Sequence, residues 1–345
     1  MAKPVRGGTP LLPYAGPVTP AELSRTVVRV VRSAVDEGAL SVAGDVVPDA
    51  VKVERPRPGG GGDYASGVAL KLAAAAGLPP RRVAEVLRRR IADQPGIALV
   101  EISGPGFLNI TLDRGGKDRV VRRVLEATAS YGHGDALLGQ SYDFAEAREE
   151  RARVVTDVVV RLLRSQGALA RTVEHGGQVL PLVACPEPRL RELVGVDAAR
   201  WAMLRPARHD RPRIEVDELL AQRESNALFR VRYAYARSRA LTRNALELGF
   251  RGEVGPVPDG EILLGLLSDH PGVLESAARH QAPDRLARQL EAVADGLLRF
   301  QHGVLPLGDE KPSAAHRNRL ALAEAAGTVL AGGLSLLGID APEFL

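Results

Sequence analysis

The chain has 345 residues, of which 45% are apolar and 26% are charged, and these values are typical of a globular protein with two or three domains. It contains no run of 18 apolar residues and no signal-peptide centre, so we expect a cytoplasmic protein without a membrane partner. A single cysteine, Cys185, and seven scattered histidines exclude a disulfide and the usual zinc spacings, so we expect no metal and no cofactor.

The first part of the chain predicts a small α/β domain over residues 19–140, preceded by a flexible arm rich in proline and glycine over residues 1–18. A threonine cap followed by proline and glutamate at 19–22 is a strong helix start, and this helix is expected to end near Glu37. Alternating apolar residues around the Gly-Pro-Gly turn at 104–106 predict two paired strands. The elements predicted after the first helix are a strand at 51–54, a glycine loop at 59–62, helices at 67–76, 80–92 and 117–130, and the paired strands at 97–102 and 107–112.

Residues 141–188 form a short middle segment, in which an apolar face at helical spacing predicts a helix over 148–166. Two short strands, 170–173 and 178–183, are expected to follow as a hairpin around paired glycines. From residue 189 the pattern is helical throughout, so residues 189–345 are expected to form an all-α bundle and the fold class is α+β. The helices of the bundle are predicted at 189–204, 215–222, 224–248, 260–268, 271–279, 283–302 and 313–337.

The formal net charge is +4, an excess too small to require a polyanionic partner. Arginine is nevertheless concentrated in two stretches, residues 81–90 and 223–243. Local clusters of this kind are typical of surfaces that bind nucleic acid, so these stretches are the first candidates for such a surface.

The helix predicted at 224–248 combines basic and aromatic side chains. Arg232, Arg239 and Arg243 lie within about 40° of one another at ~100° per residue, so their guanidinium groups could reach a phosphate ridge along one edge. The helix also carries interleaved aromatic side chains, at Phe229, Tyr233 and Tyr235. An aromatic face can stack an unpaired base, whereas the alternative is a solvated basic helix in a bundle, which the helix alone favours slightly.

Phe107 and Asn109 are two residues apart on a predicted strand and therefore share one face of it. An exposed pair of this kind can stack on a loop base and hydrogen-bond to its edge. The alternative, a core phenylalanine beside an asparagine that ends a turn, is equally compatible with the sequence.

Five short stretches stand out when they are considered together and in order. Two lie in the predicted α/β domain: residues 62–66, Gly-Asp-Tyr-Ala-Ser, and residues 104–110, Gly-Pro-Gly-Phe-Leu-Asn-Ile. The others lie in the predicted bundle: residues 196–200, Val-Asp-Ala-Ala-Arg; Asn226 with residues 233–237, Tyr-Ala-Tyr-Ala-Arg; and residues 334–342. Their order and spacing resemble arginyl-tRNA synthetases, over residues 45–140 and 189–345.

The resemblance implies an N-terminal domain that contacts the elbow of tRNA and a D-A-L-R bundle that binds the anticodon. On the elbow side it implies contacts from Phe107 and Asn109. On the anticodon side, the resemblance and the charge pattern together select Asn226, Arg232, Tyr233, Tyr235, Arg237, Arg239 and Arg243. Tyr235 replaces the family's histidine and Arg232 replaces its glutamine, which puts the anticodon specificity in doubt.

The resemblance also reveals a missing part. Between the two ends the family carries a nucleotide-binding domain where ATP, arginine and tRNA meet, and here only residues 141–188 remain. The matching helix places the family's H-I-G-H motif on residues 146–149, Glu-Ala-Arg-Glu, so both histidines are replaced by glutamates that would repel ATP phosphates. No lysine occurs between Lys117 and Lys311, so the family's lysine loop is missing as well.

We therefore expect a non-catalytic arginyl-tRNA synthetase paralogue, a pseudoenzyme of translation, whose partner is tRNA and above all arginine tRNA. A module that docks on a synthetase or another enzyme is the alternative. A residual arginine–tRNA ligase activity is less favoured, because the ATP site is missing. The short middle segment should bring the two ends close together, which argues against simultaneous contact with elbow and anticodon.

Overall fold

The computed structural model describes residues 19–42, 46–48, 51–56 and 61–345, and the chain forms two compact units, Met1–Lys117 and Asp118–Leu345. The predicted arm over residues 1–18 and residues 59–60 of the predicted glycine loop lie outside the described residues. The fold class is α+β, as predicted, with a small α/β unit first and a helical unit after it.

The first unit packs helices against a four-stranded antiparallel sheet of order β1-β2-β4-β3. Its helices are α1 Pro20–Asp36, α2 Val68–Ala76 and α3 Pro80–Ala92, and its strands are β1 Val53–Glu54, β2 Tyr64–Ser66, β3 Ile97–Ser103 and β4 Phe107–Leu112. The start of α1 follows the prediction because the Thr19 hydroxyl accepts from the Glu22 amide while the Glu22 carboxylate accepts from the Thr19 amide.

The β3–β4 hairpin is confirmed and is closed by the Gly-Pro-Gly turn, with Ser103 opposite Phe107 and Ile97 opposite Leu112. Gly106 has φ 145°, and a side chain there would place its Cβ 2.9 Å from the Pro80 carbonyl oxygen. Only glycine fits that turn, because both the backbone conformation and the close approach of α3 exclude a Cβ.

The middle segment folds as a strand, a helix and a second strand that pairs parallel to the first. These elements are β5 Ser141–Ala145, α5 Glu150–Ser165 and β6 Leu169–Val173, and they follow α4, Arg114–Ala127, and a short 3-10 turn. The predicted hairpin is therefore wrong: α5 returns the chain so that β6 runs alongside β5, and Gln178 makes only one parallel bridge, to Phe144.

Six helices complete the second unit. They are α6 Leu190–Leu204, α7 Val216–Leu220, α8 Ala227–Glu247, α9 Glu261–Arg279, α10 Pro283–Phe300 and α11 Ala314–Leu337. The all-α character of this part is confirmed, but the two helices predicted on either side of Pro271 are one continuous helix. Proline cannot donate to the Leu267 carbonyl four residues earlier, and the Tyr131 hydroxyl donates to that oxygen instead, at 2.9 Å.

Helix α11 is long and apolar enough to cross a membrane by length and composition, yet 72% of its apolar window is buried inside the protein. Its glycines let neighbouring helices approach closely. A Cβ at Gly327 would lie 2.1 Å from the Ser238 hydroxyl oxygen of α8, and one at Gly333 would lie 2.4 Å from Leu290 of α10. Such burial and close contact are those of a core helix in a bundle.

Candidate nucleic-acid interface

Helix α8 presents one exposed aromatic surface. Tyr233 is 42% exposed, and its ring stacks on that of Phe229 with a centroid separation of 5.9 Å and an interplanar angle of 14°. An exposed ring held in place by a second ring is a ready platform for an unpaired base, because stacking requires a rigid apolar face that water can reach.

The three arginines predicted along one edge of α8 do share that edge, and all three contact the end of the chain. The Arg232 Nε donates to the Asp340 carbonyl at 3.0 Å, and its guanidinium also pairs with Asp197 of α6. The Arg239 Nε lies 3.1 Å from a Glu343 carboxylate oxygen. The Arg243 guanidinium lies 4.2 Å above the centre of the Phe344 ring. This edge therefore anchors residues 340–344, which compensate part of its charge.

The other residues predicted on the anticodon side have mainly packing roles. Asn226 is buried and caps α8: its Oδ1 accepts from the Leu228 and Phe229 amides, and its Nδ2 donates to two backbone carbonyls. With those four bonds made, Asn226 acts as a helix cap rather than as the exposed base contact that the sequence suggested. Tyr235 is half-buried, and burial raises the pKa of its hydroxyl. The Arg237 Nε donates to the Gln301 side chain at 2.6 Å.

On the elbow side, the structure separates the two residues that the sequence placed together. Phe107 is 42% exposed and lies beside Gly67, whereas Asn109 is only 9% exposed and donates to the Ser103 hydroxyl at 3.1 Å. Asn109 is covered because it has strand neighbours on both sides, Ala65 of β2 and Glu101 of β3, whereas Phe107 lies beyond the end of β2. The expectation of an exposed pair is therefore wrong for Asn109, and of the two residues only Phe107 is exposed.

The end of β5 and the start of α5 are where a nucleotide-binding fold of this type would receive a phosphate. Here the Glu149 carboxylate occupies the helix start. One of its oxygens accepts from the Ala152 amide at 2.7 Å, and the other accepts from the Cys185 amide at 3.2 Å. Because this carboxylate already takes the amide donors and the favourable end of the helix dipole, a second anion would meet like charge.

The Asp and the Arg of the Val-Asp-Ala-Ala-Arg motif each form an ion pair with a residue of a different helix. Asp197 pairs with Arg232 of α8, while the Arg200 guanidinium donates to Asp157 of α5 at 2.7 Å and to the Leu337 carbonyl of α11 at 3.1 Å. The motif thus ties α6 to three neighbouring helices. Sequence reasoning identified the motif but not this structural role.

Sequence reasoning also missed Arg151. Its side chain is fully buried, and it donates to five backbone carbonyls, those of Val183, Met203, Pro206, Ala207 and Asp210. No carboxylate forms an ion pair with it in the part of the chain that the structure describes, and burial lowers the pKa of its guanidinium. A basic residue at a helix start is not by itself a signal for burial, so the sequence contained no clear indication of this role.

The comparisons define the class of protein. Residues 231–345 match the model of the DALR anticodon binding domain, and residues 23–112 match the model of the arginyl tRNA synthetase N terminal domain. The fold and both domain matches agree with the motifs described above. The chain is therefore an arginyl-tRNA synthetase-like protein that carries the N-terminal and anticodon-binding domains of these models.

Similar sequences are arginine–tRNA ligases. The one from Renibacterium salmoninarum is 41% identical over 161 residues, which are 44% of this chain and 29% of that ligase, so this match spans less than a third of the relative. The one from Frankia alni is 27% identical over an alignment of 553 positions that covers 94% of this chain and 100% of the relative. With 345 residues here, at least 200 of those positions have no counterpart in this chain, which agrees with a missing catalytic domain.

Two solved structures share the fold. Thermus thermophilus arginyl-tRNA synthetase aligns with a TM-score of 0.69 at 13% identity, covering 94% of this chain and 100% of that one. Arginyl-tRNA synthetase from Plasmodium falciparum aligns with a TM-score of 0.65 at 9% identity, covering 96% of this chain and 100% of that one.

Proposed function

We propose that this protein is a non-catalytic, cytoplasmic arginyl-tRNA synthetase paralogue that binds tRNA, and arginine tRNA in particular. In this proposal Tyr233 stacks an anticodon base, Arg237, Arg239 and Arg243 supply basic contacts from the same helix, and Phe107 contacts the tRNA elbow. The exposed Tyr233 ring, which stacks on Phe229 and lies within the residues that match an anticodon-binding model, is the observation that carries the binding part of the proposal.

The non-catalytic part rests on the start of α5. Glu149 occupies the start of the helix with its own carboxylate, and among the described residues the parallel sheet beside it consists of the two strands β5 and β6. ATP needs donors and positive charge at its phosphates as the adenylate forms, and this end offers a carboxylate instead.

The first experiment is capture of total cellular tRNA on the purified protein at low and moderate salt, followed by sequencing of the retained RNA. We expect enrichment of arginine tRNAs. The Tyr233→Ala variant should bind about 5- to 150-fold more weakly, because a base stacked on an aromatic ring contributes roughly 1–3 kcal/mol. Tyr142→Ala is the matched control, since Tyr142 also stacks on a neighbouring ring, that of Phe144, but lies outside α8.

Two outcomes would contradict the proposal, one for each of its parts. Equal retention of all tRNAs by the wild type and by Tyr233→Ala would contradict anticodon binding. A measurable rate of ATP-dependent arginine charging by the pure protein would contradict the non-catalytic assignment.

A protein-docking module is the second candidate, and one observation favours it. Arg232, Arg239 and Arg243 are already engaged by residues 340–344, so less of their charge is free for RNA. In this case the capture experiment retains no tRNA, and the protein instead co-purifies with a synthetase or another enzyme.

A further inference from the structure

A loop rich in arginine connects α6 to α7. Its basic side chains are Arg205, Arg208, Arg211 and Arg213, together with His209. Between this loop and the first residues of α8 lies a groove of about 810 Å³, which we call the arginine groove; Trp201, Asn226 and Arg288 also line it. The loop lies outside the two arginine-rich stretches, and none of the residues expected to bind tRNA is on it.

Four arginines line the groove against two carboxylates, those of Asp210 and Glu218, so its positive charge is only partly compensated. Arg205 pairs with Glu291 at 3.0 Å, and Arg288 pairs with Asp284 at 2.9 Å. Arg211 and Arg213 are exposed, and neither makes an ion pair with any residue that the structure describes. Two exposed guanidinium groups without a carboxylate partner are available to an anion, and their planar forks match the oxygens of a phosphate.

The loop is held in shape from inside. The buried Arg151 guanidinium donates hydrogen bonds to the carbonyl oxygens of Pro206, Ala207 and Asp210, so these backbone oxygens point inward. A loop whose backbone is fixed in this way loses little conformational freedom when it binds a ligand, so its charged side chains are presented at a low entropic cost.

We propose that the arginine groove binds the phosphodiester backbone of the RNA strand whose base stacks on Tyr233. Asn226 lines the groove and caps α8, seven residues before Tyr233. Seven residues correspond to about 10 Å along a helix, and at ~100° per residue the two positions differ by only about 20°. One RNA strand can therefore contact both the arginine groove and the Tyr233 ring. This assignment rests on the proposed tRNA-binding function and adds a second contact to it.

The test uses the full chain and an RNA hairpin with the anticodon stem and loop of an arginine tRNA. Arg211→Ala/Arg213→Ala removes the two uncompensated charges. Arg251→Ala/Arg299→Ala removes two exposed charges elsewhere and is the matched control. Binding is measured by fluorescence anisotropy from about 50 to about 200 mM salt.

Each phosphate contact contributes roughly 0.7–0.9 to the slope of log affinity against log salt, so the loop variant should lose about 1.4–1.8 in slope. Its affinity at about 0.1 M salt should fall roughly 25- to 60-fold, and the control should keep the wild-type slope. Because both loop arginines are exposed, the thermal unfolding midpoint of the variant should match that of the wild type.

Other outcomes separate the two proposals. If Tyr233→Ala loses RNA while the loop variant keeps the wild-type affinity and slope, the groove assignment is wrong and the tRNA-binding function stands. If the loop variant and the control lose affinity equally, the effect is general charge and the groove assignment is again wrong. If the wild type binds no RNA hairpin, both proposals are wrong, and an acidic protein partner becomes the occupant to seek.

Discussion

Replacing His270 with phenylalanine should remove most of the acid sensitivity of the second unit in the pH range just below neutrality. His270 is fully buried, its ring stacks on Tyr131 at 5.9 Å, and its Nδ1 has no hydrogen-bond partner among the described residues. Burial, with a smaller contribution from His133, lowers the pKa of His270 from 6.5 to about 4. The folded protein therefore keeps this ring neutral where the unfolded chain would protonate it.

The size of the effect follows from that shift. A fall in the pKa from 6.5 to about 4 corresponds to roughly 3 kcal/mol. The unfolded chain binds the proton first as the pH falls through 6.5, so the free energy of unfolding decreases by up to about 1.4 kcal/mol per pH unit until the folded pKa near 4 is reached. The loss is a large part of a typical total stability of 5–15 kcal/mol.

Urea unfolding of the wild type and of His270→Phe, measured at matched pH values between about 7 and about 4, tests this reasoning. Phenylalanine keeps a flat ring against Tyr131 and cannot bind a proton. His270→Gln is the second variant, for the case in which phenylalanine packs poorly. Because carboxylates titrate in all three proteins, only the difference between curves matters. Equal pH slopes for the wild type and both variants would refute the argument from burial.

Three further predictions follow from contacts described above. Arg151→Met should lower the free energy of unfolding by about 3–5 kcal/mol in urea titration, because five backbone carbonyls lose their donor; an effect below about 1 kcal/mol would mean that water replaces it. Asn226→Ala should cost about 0.5–2 kcal/mol of stability through the lost cap, and Asn226→Asp should not restore it, because a carboxylate oxygen would then face the Leu219 and Ala221 carbonyls to which the Asn226 amide donates, as thermal unfolding can show. Phe107→Ala should weaken binding of whole tRNA by roughly 1–3 kcal/mol without changing binding of the anticodon hairpin, and equal losses for both RNAs would contradict an elbow role.

Local chemistry explains which elements could be predicted. The start of α1 depends on Thr19 and Glu22, which are three positions apart, so the sequence alone predicts it. The β3–β4 hairpin is similarly fixed by its glycine turn. These features need no distant partner, so the pattern alone is sufficient.

The errors arise where a distant residue decides the outcome. Helix α9 continues through Pro271 because the Tyr131 hydroxyl donates to the Leu267 carbonyl, which proline leaves without a backbone donor. Tyr131 is 136 residues away from Leu267 in the chain. The position of β6 depends on pairing with β5, whose alternation of Tyr142 and Phe144 was the signal that the sequence reading passed over. Both are tertiary effects that local propensity cannot encode.

The candidate site shows the same division. Tyr233 and Phe107 are exposed rings, as the binding hypothesis requires. Asn109 is buried because strands flank it on both sides, and Asn226 makes four hydrogen bonds as the cap of its own helix. Residue type and spacing identify which side chains have the right chemistry, but burial decides which of them a partner can reach.

The contacts of α5 suggest why the middle segment exists at all. Asp157 accepts a hydrogen bond from Arg200 of the bundle, and Arg151 donates to the end of α6 and the loop after it, so α5 supplies the bundle with a carboxylate and four hydrogen bonds. A shorter chain without α5 would leave a half-buried cation and several carbonyls without partners. The middle segment therefore supplies contacts to the packing of the bundle, and a chain without α5 would need other side chains to replace them.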